Sequence, residues 1–241
     1  MSFERSCSSE QNPADPALAG YGDGTFSTPS LIEAADSSPY FHDHSAATLE
    51  DAIAHYAEDV FNDSPGPKSP NFAVDMPPVR LNDHEIADLA AYLRVLNAIQ
   101  NLNSAQDALE QAWFGPGTLV GEGRLAFADS ELEDAIGVLA ESQLHAPARA
   151  RLEFARGHLS RAFVKRTHRV ERRWRVRITL AAHHIAAARE SMAIIGEAAG
   201  DLYAEPFGAD RLDIRTGTLN GELQTAEEAA FAERLTELGL E

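Results

Sequence analysis

The sequence predicts an all-α protein, and three observations carry that reading. Apolar residues recur at spacings of three and four from Leu49 onward, as one face of a helix requires. Two helix starts carry capping-box pairs, Thr48 with Asp51 and Asn82 with Glu85. From Pro147 to Ala199 no proline interrupts, while Leu152, Leu159, Phe163, Val170, Trp174, Ile178, Ile185, Met192 and Ile195 recur at three, four or seven residues.

Taken in order, residues 1–24 are polar, contain Gly and Pro and lack periodicity, so they read as an irregular or disordered segment. Pro29 and Pro39 punctuate an extended stretch ending at Phe41. A helix follows Thr48, with Leu49, Ile53, Tyr56 and Val60 on one stripe, and is expected to run to about Phe61. Asn62 to Leu81 holds five prolines and forms a long loop. The next helix starts at Asn82, turns Ile86, Leu89, Leu93 and Leu96 to one face, and continues or restarts through Ile99, Leu102, Leu109 and Trp113 before Gly115-Pro116. Ser130 precedes a helix with Leu132, Ile136 and Leu139; Pro147 suits the first turn of another. The proline-free stretch then reads as two long helices with a break near Gly157 or around Thr167, ending at Gly196 and Gly200 and pairing with their neighbours as an antiparallel bundle. Beyond Pro206 come a short extended segment, Arg211 to Ile214, a turn from Thr216 to Gly221 and a last helix from Thr225 to Leu238.

Composition narrows the function classes. No apolar run approaches the roughly 20 residues of a spanning helix. The formal charge is −18, yet from Arg149 to Arg177 eleven Arg and Lys face only Glu153 and Glu171. A basic helix inside an acidic protein meets the protein's own carboxylates, or haem propionates, before an external partner. Its arginines are interleaved with Phe163, Val170 and Trp174 all round the helix, so a nucleic-acid footprint is the weaker reading. Cys7 is a single cysteine and supports neither an internal disulfide nor a two-cysteine haem linkage. The first twenty residues have no apolar core behind a basic start, which taken literally places the chain in the cytoplasm.

Between Thr28 and Leu93 the chain reads TPSLIEAADSSPYFHDHSAATLEDAIAHY, then a Pro-rich loop with Met76-Pro77-Pro78, then LNDHEIADLAAYLRVL. That order resembles the C-terminal part of a haem domain in the di-haem cytochrome c peroxidase family, over about residues 20–102. The family's C-x-x-C-H attachment sequence is absent from these 241 residues. The resemblance implies a partial cytochrome c-like domain over 25–114, followed over 115–241 by a long-helix bundle of unknown role. It implies haem c as cofactor, a periplasmic setting, and a redox partner protein or upstream haem domain; a chain cut from a longer precursor would reconcile that setting with the N-terminus. Tyr40, Phe41, His42, Tyr56, Leu89, Leu93 and Met76 are then expected on one wall of a haem crevice. Met76, in the loop before a helix, and Tyr56 are the rival axial ligands. Where the family usually has glycine, this chain has His44, at a turn position that permits positive φ.

Other groups invite chemistry and resolve into plainer roles. His42 and His44 make an H-x-H pair, but two imidazoles without a third ligand nearby read as a turn held by hydrogen bonds. His183-His184 has no partner at helical ligand spacing, Glu190 lying six or seven residues away, and reads as structural. The expectation is therefore a peroxidase-like electron-transfer protein lacking its haem-attachment half and not active as this chain alone. The alternative is a haem-free helical interaction or structural protein derived from a cytochrome domain.

Overall fold

The computed structural model describes residues 31–41, 43–63, 78–162, 170–192 and 221–240, with side chains from 173 in the fourth stretch and from 225 in the last. Among the described residues there are seven α-helices and no strand: α1 (Leu49–Ala57), α2 (Asp59–Asn62), α3 (Asp83–Trp113), α4 (Leu119–Glu141), α5 (Ala146–Ala162), α6 (Val170–Met192) and α7 (Gly221–Leu238). The fold is all-α, as the periodicity predicts. Contacts divide the chain into two units, one ending at Arg94 and one starting at Val95.

In the first unit both capping boxes form. Thr48 Oγ1 accepts the Asp51 N–H while Asp51 accepts the Thr48 N–H, and Asn82 and Glu85 repeat the exchange at α3. The helix expected to reach Phe61 unbroken is instead interrupted at Glu58, which is extended at φ −76° and ψ 152° and separates α1 from α2. Asn62 holds the end of α2, exchanging hydrogen bonds with both backbone groups of Val79: its Oδ1 accepts the Val79 N–H at 2.9 Å and its Nδ2 donates to the carbonyl at 3.1 Å. Leu49, Ala52 and Ile53 are buried, whereas Tyr56 and Val60 of the same stripe remain exposed.

The second unit is built on a heptad rule. Leu102, Leu109, Leu125, Leu132, Leu139, Leu152, Leu159, Ile178, Ile185 and Met192 are fully buried and recur every seven residues within their helices. Alanines three residues after most of them, Ala105, Ala128, Ala135, Ala155, Ala181 and Ala188, are fully buried too. A large residue and a small one alternating at core positions let helices approach closely while the large side chains interdigitate. α5 packs against α4 and α6, and α7 lies on α5.

Three boundaries differ from expectation. α4 starts eleven residues before Ser130, because Thr118 Oγ1 accepts the Gly121 N–H at 3.0 Å and caps it. Gly157 lies inside α5, where an added Cβ would meet nothing within 4 Å, so it makes no break. α7 begins at Gly221 rather than Thr225. Thr167, the ends expected at Gly196 and Gly200, the segment Arg211 to Ile214, and Thr216 lie outside the described residues, as do residues 1–24.

Trp174 ties the far end of the bundle. Its Nε1–H donates to the Ala112 carbonyl at 3.0 Å, one of the last carbonyls of α3, and its ring lies against Gly121. Among the described residues no helix is long and apolar enough to cross a membrane.

Candidate functional site

Among the described residues, two places gather chemistry-bearing side chains, one in each unit. In the first, the turn before α1 is closed by a bridge between Tyr40 and Ala46, the Tyr40 N–H donating to the Ala46 carbonyl at 2.8 Å. Tyr40 Oη donates to the Ala35 carbonyl at 3.1 Å, and the Asp43 carboxylate accepts the Ser45 N–H. Phe41 and His44 both adopt positive φ, +66° and +57°. These angles turn Phe41 toward α1, where its ring meets His55 at 4.9 Å and Tyr56 at 6.0 Å; Phe61 completes the group, 4.9 Å from Tyr56. Burial among these rings lowers the pKa of His55, against the pull of Glu58 and Asp43.

Of the residues expected on a haem wall, the structure thus brings Phe41 and Tyr56 together, with Tyr40 beside them in sequence and half-buried. Leu93 is buried in α3, while Leu89, four residues earlier, is exposed, as is Tyr92. His42 and Met76 lie outside the described residues. The half-exposed aromatic group suits contact with a flat apolar ring. Covalent attachment is another matter: haem c is ordinarily held by two thiols, and the sequence has one cysteine, Cys7.

The second place lies where α5, α6 and α7 meet. His158 and His184 stack, rings 5.7 Å apart and 11° from parallel, and both point Nε2 at the same carboxylate oxygen of Glu227, at 2.5 and 3.2 Å. Arg177 Nη1–H donates to His158 Nδ1 at 2.8 Å. Arginine can only donate, so His158 Nδ1 accepts and its proton sits on Nε2, facing Glu227. Phe154 and Phe231 wall the cluster, 5.0 and 5.6 Å from His184. One residue along α7, Glu228 accepts two hydrogen bonds from Arg151 at 3.1 and 2.9 Å and one from His183 at 2.6 Å.

Burial sets the protonation here. It pushes His184 down to about 4 and lowers His158, so both imidazoles are neutral at pH 7. Burial alone would raise Glu227, but the two histidines outweigh it and its pKa falls below the ordinary carboxylate value. The Arg151 guanidinium holds Glu228 at about 2. The basic stretch therefore meets the chain's own acids in part, Arg151 on Glu228 and Arg156 on Asp129 and Glu133.

In the His183-His184 pair His184 is fully buried, and the partners of both rings come from elements distant in sequence. Neither His158 nor Glu227 stands out in a reading by local spacing. One signal was available: Arg151 with His158, and Arg177 with His184, sit seven residues apart, and each histidine directly precedes a core residue, Leu159 or Ile185.

No protein-family model matches the chain, and no solved structure matches it. Methylamine utilization protein MauG of Methylorubrum extorquens is 34% identical over 73 residues. The likeness is to part of that protein. Those residues are 30% of this chain and 19% of the relative, so the chain spans a small share of the relative's length.

Proposed function

We propose that the unit ending at Arg94 belongs to a c-type, cytochrome c peroxidase-like electron-transfer protein and forms one wall of a haem crevice. The observation that carries this reading is the aromatic group on α1, in which a strained positive φ at Phe41 sets its ring against His55 and Tyr56. Partial identity to Methylamine utilization protein MauG and the motif order between Thr28 and Leu93 support it. Tyr40, Phe41, His42, Tyr56, Leu89 and Leu93 make the wall in this reading, with Met76 or Tyr56 as the axial ligand. The C-x-x-C-H anchor comes from residues outside this sequence, in an upstream haem domain or a redox partner protein, and the setting is periplasmic. Peroxide chemistry is not assigned to this chain alone.

The test is a titration of the purified chain with haem, followed by absorption and pyridine haemochrome spectra. Saturable uptake with a shifted Soret band, weakened by Phe41→Ala, supports the wall. The lone cysteine favours a second reading, in which the segment is free of haem and the helical half binds a partner. A folded chain that takes up no haem, alone or with a C-x-x-C-H-bearing partner, establishes that second reading.

A further inference from the structure

We propose that His158, His184 and Glu227 form a site for one divalent zinc-type metal ion in the helical unit, with Arg177 competing for it. Each ligand comes from a different helix, α5, α6 and α7, and their donor atoms all lie within 4.8 Å of one another. Two imidazoles and one carboxylate are the donor set of many zinc centres that keep a fourth position open to water. The two rings already direct Nε2 at Glu227 Oε1, so the donors converge without a change of backbone.

The His184 side chain is fully buried, and its Nδ1 has no hydrogen-bond partner among the described residues; with an ion on Nε2 the ring proton moves to Nδ1, which then needs an acceptor such as a buried water. The neighbouring carboxylate, Glu228, is not counted as a ligand because Arg151 and His183 already occupy it.

Arg177 decides how readily the site fills. For His158 to bind an ion through Nε2, its proton must move to Nδ1, and the guanidinium that now donates to Nδ1 cannot accept it. Metal-bound histidines ordinarily donate that second N–H to an acceptor. Arg177 is half-buried and must turn away when the ion enters. Replacing it with glutamine supplies an amide oxygen that can accept the Nδ1 proton and removes a positive charge.

The experiment uses the untagged full chain, stripped with a chelator and titrated with Zn²⁺ by calorimetry and with Co²⁺ by visible absorption. The expected result is one ion per chain with the ligand-field bands of tetrahedral cobalt, lost in Glu227→Gln and His184→Gln. Arg177→Gln is expected to tighten binding, by about tenfold on the scale of groups that support metal ligands. Circular dichroism establishes that each variant is folded, and His183→Gln, which removes the contact to Glu228 and the edge-on packing of His183 on the His184 ring but none of the three donors, should still bind one ion per chain. His42→Gln should also leave uptake unchanged. No stoichiometric uptake by the folded parent, uptake that survives in folded His184→Gln, loss in His42→Gln, or an Arg177→Gln variant that binds no tighter would each overturn the proposal. Haem titration reads the first unit independently of all these outcomes.

Discussion

Arg94 grips both carboxylate oxygens of Glu50, at 2.6 and 3.1 Å, across 44 positions of sequence. The guanidinium is nearly buried, at 6% exposure, while Glu50 keeps 38%. Glu50→Gln removes the negative charge from this two-bond pair with a desolvated cation, and is expected to cost about 1–2 kcal/mol after allowance for solvent at the carboxylate. Replacing both residues with apolar ones should cost less than Glu50→Gln alone, since the desolvated guanidinium is then removed together with the carboxylate it grips. Denaturant unfolding of the three proteins checks the order. The hydrogen bond from Arg94 lowers the Glu50 pKa from its ordinary 4.5, so the unfolded chain takes up that proton first. The contribution is whole above pH 4.5 and is lost as pH falls through the lowered value; Glu50→Gln should flatten that part of the acid limb.

His44 holds φ at +57° with an exposed side chain, at the position where a glycine was expected from the resemblance. A side chain there crowds the backbone, and the strain is offset only in part by the lower entropy of an unfolded histidine compared with glycine. His44→Gly is therefore expected to stabilise the turn by up to about 1 kcal/mol. A thermal midpoint that falls instead would mean that the imidazole makes a contact worth more than the strain.

Much of the fold was legible, for physical reasons that can be named. Capping boxes and large apolar residues at heptad spacing are strong local signals, and α1, α3, α5 and α6 follow from them. The alanine half of the heptad was not legible, because alanine favours helix equally in core and on surface. Ala128 and Ala135 pass unnoticed beside Leu125 and Leu132. The early start of α4 was hidden because Leu119 and Val120, its first two residues, are exposed at 88% and 73% and lie on no buried stripe. The His158, His184 and Glu227 cluster was missed because a site assembled from three helices has no sequence spacing to recognise. On the aromatic turn, the sequence singled out Phe41 and Tyr56 but not His55, whose partners become visible only once Phe41 turns back onto α1.

Of the described glycines, Gly121 leaves the least room for a side chain. A Cβ there would overlap the Gly115 carbonyl and come within 3.2 Å of the Trp174 ring. The carbonyl belongs to the turn that Thr118 holds, its Oγ1 donating to Gly115 O at 2.9 Å, and so it has little freedom to move. Gly121→Ala should improve local helix propensity yet destabilise the second unit by about 1–3 kcal/mol through overpacking. Tryptophan fluorescence reads the outcome directly, because Trp113 and Trp174, the chain's two tryptophans, both lie in this unit. Gly123→Ala is the control: nothing lies within 4 Å of its added Cβ, and it should be neutral or stabilising.

His55 gives the first unit a second, separate response to acid. Its imidazole lies among Phe41, Tyr56 and Phe61, and burial there lowers its pKa from 6.5 while Glu58 and Asp43 pull the other way. A lowered base binds its proton later in the folded state than in the unfolded one. Stability conferred by the neutral ring is therefore complete above pH 6.5 and declines as pH falls through the lowered folded value. Glu50 begins to respond only below pH 4.5, so the two groups begin to titrate in different windows. His158 and His184 of the second unit, also lowered by burial, respond in the same window, so His55→Phe should reduce rather than abolish the decline that begins near pH 6.5, while leaving the more acidic limb intact. Unfolding midpoints measured from pH 7.5 to 4 test this, and an unchanged slope between pH 6.5 and 5 in His55→Phe would show that the imidazole is solvated rather than held by the rings.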